Sequence, residues 1–173
     1  MPSGIEYLLI NTSRAVANQV YGIAIQKPEV INELMELSIS QKGQMALRAS
    51  NILTLVAESK PELILPYIDQ IVRFFPHLQH ISVKRAFTKI ISKYPDINDD
   101  DLLSILVYHC FEWLNDADET VAIRVYSMNI LANICKIYPE LIPELKQTIE
   151  LHYDDGSAGF KSRAIKILEN FNS

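Results

Sequence analysis

Residues 138–145 read YPELIPEL, and the chain says nearly the same at 27–34 (KPEVINEL), 60–67 (KPELILPY) and 94–101 (YPDINDDD). In each copy a proline, Pro28, Pro61, Pro95 or Pro139, closes a long apolar-periodic segment. An acid follows it, Glu29, Glu62, Asp96 or Glu140. Proline cannot continue a preceding helix, but it fits the first turn of the next, where its missing N–H costs nothing. The acid then lies against the positive end of the new helix dipole. The phrase therefore reads as helix stop, tight turn, helix start.

A second signal lies upstream of each phrase. A basic residue is followed three positions on by a residue that is usually small, and four positions later by an apolar one. The instances are Arg14, Ala17 and Tyr21; Arg48, Asn51 and Leu55; Arg124, Ser127 and Leu131; and Lys161, Ala164 and Leu168, with Lys84, Phe87 and Ile91 a looser fit. The basic residues are spaced by 34, 36, 40 and 37 positions. Self-similarity at this period points to stacked helical hairpins. The periodicity predicts helices near 5–26, 29–40, 44–59, 62–75, 79–93, 99–115, 119–137, 140–153 and 157–171. Short joints make neighbours antiparallel.

On these motifs the chain resembles the HEAT-repeat family within the armadillo-like superhelices. The stretch NDADETVAIRVYSMNIL at 115–131 and YPELIPELKQTI at 138–149 are the best instance. They look like the family's acidic turn, its Val/Ile-Arg second helix and its proline-led first helix. The resemblance implies an all-α fold, an α-α superhelix of about four to five helical hairpins in one domain over 1–173. It also implies binding, as scaffold or interaction module, rather than catalysis.

Composition agrees with a globular chain: 49% of the 173 residues are hydrophobic and 21% charged. A net charge of −5 argues against a generic phosphate-coating protein. No secretory signal or membrane-spanning run is read, so a cytoplasmic location is expected. Cys110 and Cys135 stand alone in apolar contexts and read as buried thiols. No nucleotide-binding, nucleophile-elbow or zinc-protease motif occurs, and the chain is expected to be no enzyme and to need no cofactor or metal. His77 and His80 do not complete a zinc site. His109 reads as a satisfied core histidine beside Trp113, itself a core residue. The acids Asp96, Asp99, Asp100 and Asp101 read as a helix N-terminal cluster, since the glycine and bidentate glutamate of a calcium loop are missing.

Charge is segregated between the helix types. The second helices, 44–59, 79–93, 119–137 and 157–171, hold ten basic residues and three acids, while the chain as a whole is at −5. In HEAT-like stacks such helices line the concave face, so the resemblance implies a basic groove. At about 100° per residue, Arg85, Thr88, Lys89, Ser92 and Lys93 share an arc opposite Ala86, Phe87, Ile90 and Ile91. Arg48 and Asn51, Asn129, Asn133 and Lys136, and Arg163, Lys166 and Asn170 lie on the polar arcs of the other helices. Arg124 falls among apolar residues and is expected to be buried, bonded to the acidic turn at Asp116 and Asp118 or to its counterpart in a neighbouring repeat.

The candidate binding residues are therefore Arg48, Asn51, Arg85, Lys89, Asn133, Lys136, Arg163 and Lys166. The expected partner is a protein or peptide of acidic character. The alternative is nucleic acid, suggested by a fold-level resemblance to alkylpurine-glycosylase-type DNA repair proteins. The competing structural explanation of the basic stripe is ion pairing with acidic loops of adjacent repeats.

Overall fold

In the computed structural model, residues 4–10, 13–94 and 96–172 are described, and all the regular structure among them is helical. The helices are α1 (Gly4–Leu9), α2 (Arg14–Gln26), α3 (Glu29–Ile39), α4 (Gly43–Ser59), α5 (Pro61–Ile64), α6 (Ile68–Arg73), α7 (Ile81–Ile91), α8 (Asp100–Asn115), α9 (Val121–Cys135), α10 (Ile142–Leu151) and α11 (Ala158–Asn172). The chain divides into two compact units, residues 1–90 and 91–173.

The proline phrase does what its chemistry requires. At its second copy α4 ends with the Lys60 N–H on the Val56 carbonyl, and Pro61 opens α5. At its last copy the Tyr138 N–H closes α9 on Ile134, and Pro139–Leu141 make a single 3-10 turn into α10. Pro28 is the N-cap of α3. Pro95 lies outside the described residues, and α8 begins only at Asp100. Asp99 caps it by accepting the Leu102 N–H at 3.0 Å, which gives the acidic run the helix-start role expected of it.

Two expected helices are broken. The segment 5–26 is α1 and α2, because Ser13 stops and restarts the chain: its hydroxyl accepts the Val16 N–H at 3.2 Å and caps α2. The segment 62–75 is α5, a 3-10 turn at Leu65–Tyr67, α6, and a second 3-10 turn at Phe75–His77. Pro66 and Pro76 sit in those turns, where neither has an N–H for an α-helical bond.

Within the first unit α3 packs on α4, and α2 on both. The core holds Ile31, Leu34, Ile52, Leu53, Phe75 and Phe87, each essentially inaccessible. Burying a side chain of this size stabilises by about 1.5–3 kcal/mol. A polar staple joins the α3–α4 turn to the turn before α7. The Gln41 amide donates to the His77 carbonyl at 2.8 Å and accepts the Gln79 and His80 N–H groups at 2.7 and 2.8 Å. Gln41 holds φ at 53°, a left-handed conformation unusual for a residue with a side chain, and Gly43 at 47° takes the second left-handed position.

In the second unit α8 packs on α9, α9 on α11, and α10 on α8, α9 and α11. Its core includes Leu106, Cys110, Trp113, Ile123, Leu145 and Phe160. Since α9 meets three helices, only a narrow arc of it is left polar. At Gly156 the chain passes so close to Phe160 that an added Cβ would lie 2.7 Å from the ring.

Candidate functional site

At three of its copies, Arg48, Arg124 and Lys161, the repeated basic position is a structural device; Arg14, the first copy, is exposed. Arg124 is 8% exposed, as its phase predicts. Its Nε and one terminal nitrogen donate to the Leu114 carbonyl at 3.2 and 3.1 Å, and its guanidinium lies 4.7 Å from the Phe160 ring centre. The bonded partner is thus a backbone carbonyl at the end of α8, not the carboxylates of the acidic turn. The reason is that the last carbonyls of a helix lack an intrahelical donor. Asp116 instead accepts the Asp118 N–H at 2.9 Å and shapes the turn. Burial lowers the Arg124 pKa, and the Asp116 charge partly restores it.

Arg48 and Lys161, at the equivalent repeat position, also donate to upstream backbone carbonyls, Arg48 at a helix end and Lys161 in the turn after α10. Arg48 donates to the Leu9 and Ile10 carbonyls at the end of α1, the latter at 2.9 Å, and Lys161 to the Asp154 carbonyl at 2.9 Å. Arg48, a candidate binding residue, therefore has its guanidinium committed to those carbonyls. Lys89 meets Glu58 at 2.8 Å, joining α7 to α4. Asn51 and Arg85 are exposed in the first unit. Thr88, expected on the polar arc with them, is fully buried and bonds back to the Lys84 carbonyl at 2.6 Å.

The second unit brings candidates together. Asn133 and Lys136 from α9 and Arg163 from α11 line one depression of about 320 Å³. Asn129 and Asn170, already on the polar arcs, complete its rim, and Ile167 and Phe171, which phase assigned to the apolar side, contribute its floor. Lys136 Nζ donates to Asn133 Oδ1 at 3.0 Å, which orients the amide. No acid is among the described residues lining it. Lys166 is exposed on α11, one turn beyond Arg163, and outside the depression.

Groups with chemical potential elsewhere are occupied by structure. The Cys110 thiol is pushed far up by burial, with the neighbouring Ser127 hydroxyl acting weakly against it, and Cys135 is pushed up to about 11 by burial with the Glu140 charge adding. His80 Nδ1 accepts the Ser82 N–H at 3.3 Å at the start of α7, and His77 stacks beside Phe74. His109 is half-buried rather than core: its Nδ1 meets Glu112 at 3.2 Å while its ring rests against Trp113, which is buried as expected. No helix among the described residues is long and apolar enough to cross a membrane.

The HEAT repeat domain family matches residues 6–171. No curated protein and no solved structure matches the chain. With hairpin turns, second-helix arginines and family match coinciding over nearly the whole chain, the protein belongs to the HEAT repeat domain family.

Proposed function

We propose that this chain is a non-enzymatic interaction module. It holds an acidic segment of a partner protein on the second-helix face of its second unit. HEAT repeat domains are typically binding scaffolds, which sets the class. The single observation that carries the finer reading is the convergence of Asn133, Lys136 and Arg163, from two helices, on one acid-free depression with further amides at its rim. Amides and a guanidinium with no opposing acid suit carboxylates: the arginine forks onto them and the amides donate beside it. Lys166 extends the positive field along α11, and Arg85 and Asn51 offer polar side chains on the first unit. Nothing in the depression pairs a nucleophile with a base, so the reading is binding without turnover. Free, buried thiols at Cys110 and Cys135 support a reducing, cytoplasmic setting.

The test is fluorescence anisotropy with a labelled Asp/Glu-rich peptide and, in parallel, a labelled DNA duplex. Lys136→Glu with Arg163→Glu should weaken the peptide about tenfold or more while the unfolding midpoint holds. Unchanged peptide affinity in that variant refutes the site. Tighter capture of the duplex, with affinity falling steeply with salt, would instead support the nucleic-acid reading. Reversing Lys89 would be a poor test, because it would set a second carboxylate against Glu58.

A further inference from the structure

The second unit also carries a larger groove of contrary character. It runs between α8 and the start of α10, holds about 710 Å³, and has Ile134 of α9 in its lining. Its α8 side is one helical stripe: Asp100, Leu103, Val107, Phe111 and Asn115 recur at intervals of three and four residues along the whole helix, with Tyr108 beside Val107. The same helix turns Leu102, Leu106, Cys110 and Trp113 into the core, and Leu103 and Phe111 of the stripe are nearly buried as well, each 8% exposed. They form the floor of the groove, with Val107 half-buried between them, and Tyr108 stands 65% exposed at its rim.

The charge around this apolar floor has one sign. Asp100 lies at one end of the α8 stripe, and Glu140 and Glu144 line the facing wall. Glu112 is also in the lining, with its carboxylate already at 3.2 Å from His109. No lysine, arginine or histidine is among the described lining residues.

We propose that this groove seats a cationic amphipathic helix of a partner protein. Three features point to that occupant. The stripe from Asp100 to Asn115 is about 22 Å long at 1.5 Å per residue, the length of a helix of about four turns. A floor of Leu103, Val107 and Phe111, with an aromatic at the edge, takes apolar anchors spaced at one turn, the way a helix docks in a groove. The acidic rim then selects lysines or arginines flanking those anchors, and it repels anionic lipid and nucleic acid. The occupant is thus of opposite charge to the one proposed for the α9–α11 depression, and the two surfaces stand or fall separately.

The probe is a fluorescein-labelled Leu/Lys peptide of about 18 residues, with leucines at helical spacing. Its controls are a scrambled peptide of identical composition and a Leu/Glu peptide of the same pattern. Titration into the intact protein should show the Leu/Lys helix bound at least about tenfold more tightly than either control. Glu140→Lys with Glu144→Lys should weaken it about tenfold or more, as should Tyr108→Ala. All three residues are exposed, so the fold should tolerate the changes, with circular dichroism as the check. Equal binding of patterned and scrambled peptides, preference for the Leu/Glu peptide, or unaltered affinity in the folded variants each overturns the proposal. So does a concentration-dependent dimer, by light scattering, that Tyr108→Ala dissolves, since the occupant would then be a second copy of this chain.

Discussion

Replacing Arg124 by alanine tests whether second-helix arginines hold the hairpins together. Two donors leave the Leu114 carbonyl, in a residue that is fully buried. Hydrogen bonds from a charged donor contribute about 1.5–3 kcal/mol, and a carbonyl left buried and unpaired accounts for much of that loss. The guanidinium also leaves the Phe160 face, worth about 1 kcal/mol for a partly desolvated cation–π pair. Against these stands the relief of no longer burying a charge, which reduces the sum. The net expectation is a loss of about 3 kcal/mol, or a midpoint lower by about 6–12 °C for a chain of this size. Equilibrium urea unfolding gives the first figure and a thermal melt the second. Arg124→Lys, with a charge but no fork, should fall about halfway between. A loss below about 1 kcal/mol in the alanine variant would refute the reasoning, because the carbonyl would then be satisfied without the arginine.

Removing the staple with Gln41→Ala should cost about 2 kcal/mol in the same urea assay, since one side chain makes three hydrogen bonds; a change within about 0.5 kcal/mol would show that solvent replaces them. His152 has its pKa lowered below the ordinary 6.5 by burial and by the Arg124 charge, opposed by Asp155. The folded state therefore binds the proton less readily than the unfolded one. Its stabilising effect should be fully present above pH 6.5 and be lost as pH falls through and below that value. Melting curves from pH 8 down to pH 5 should show this fall in the parent and a smaller one in His152→Gln. Neither Cys110 nor Cys135 should react with a thiol reagent in the native protein, and both should react in urea; fast native labelling would mean that the core around α8 and α9 opens readily. Calorimetry should show one transition across both units, whose boundary falls in the last turn of α7, and two resolved peaks would mean that they unfold independently.

The hairpin plan was legible because proline and helix caps act locally: Pro61, Pro139 and Asp99 do their work within a turn of themselves. The break between α1 and α2 was equally local, signalled by Ser13, yet the apolar periodicity on either side masks it. Gln41 was not legible, since its three partners lie 36 to 39 positions away and nothing in its own neighbourhood marks it. The polar arcs were legible as phases, and they placed Asn133, Lys136 and Arg163 where one depression gathers them. Phase alone could not tell which cations already have a carbonyl or carboxylate beside them. The α8 groove was less legible: the exposed positions of LLSILVYHCFEWL are Ser104, Tyr108 and Glu112, an ordinary solvent face on which Tyr108 alone is aromatic.

The ten basic residues of the second helices do not act as one field. Arg48 and Arg124 donate to carbonyls at the ends of α1 and α8, where each offsets roughly half a unit of negative helix-end charge, and Lys161 donates to the Asp154 carbonyl in the turn before its own helix. Lys89 faces Glu58. The same repeat that makes these positions recur makes their job structural, because every hairpin ends in carbonyls that need a donor. Beyond these positions, the second unit carries positive charge at Lys136, the C-cap of α9, and at Arg163 and Lys166 on α11, while the first unit has Arg85 exposed on α7. A charge count over the helices overstates the attraction of the face as a whole. It understates how local the attraction is, since the charged residues that line the α9–α11 depression, Lys136 and Arg163, are both cations and stand among amides. One residue on from Asn133, Ile134 lines a groove rimmed by acids. If both proposals hold, two surfaces of opposite sign that share α9 would keep two partners apart, since each rim would repel the ligand that the other selects.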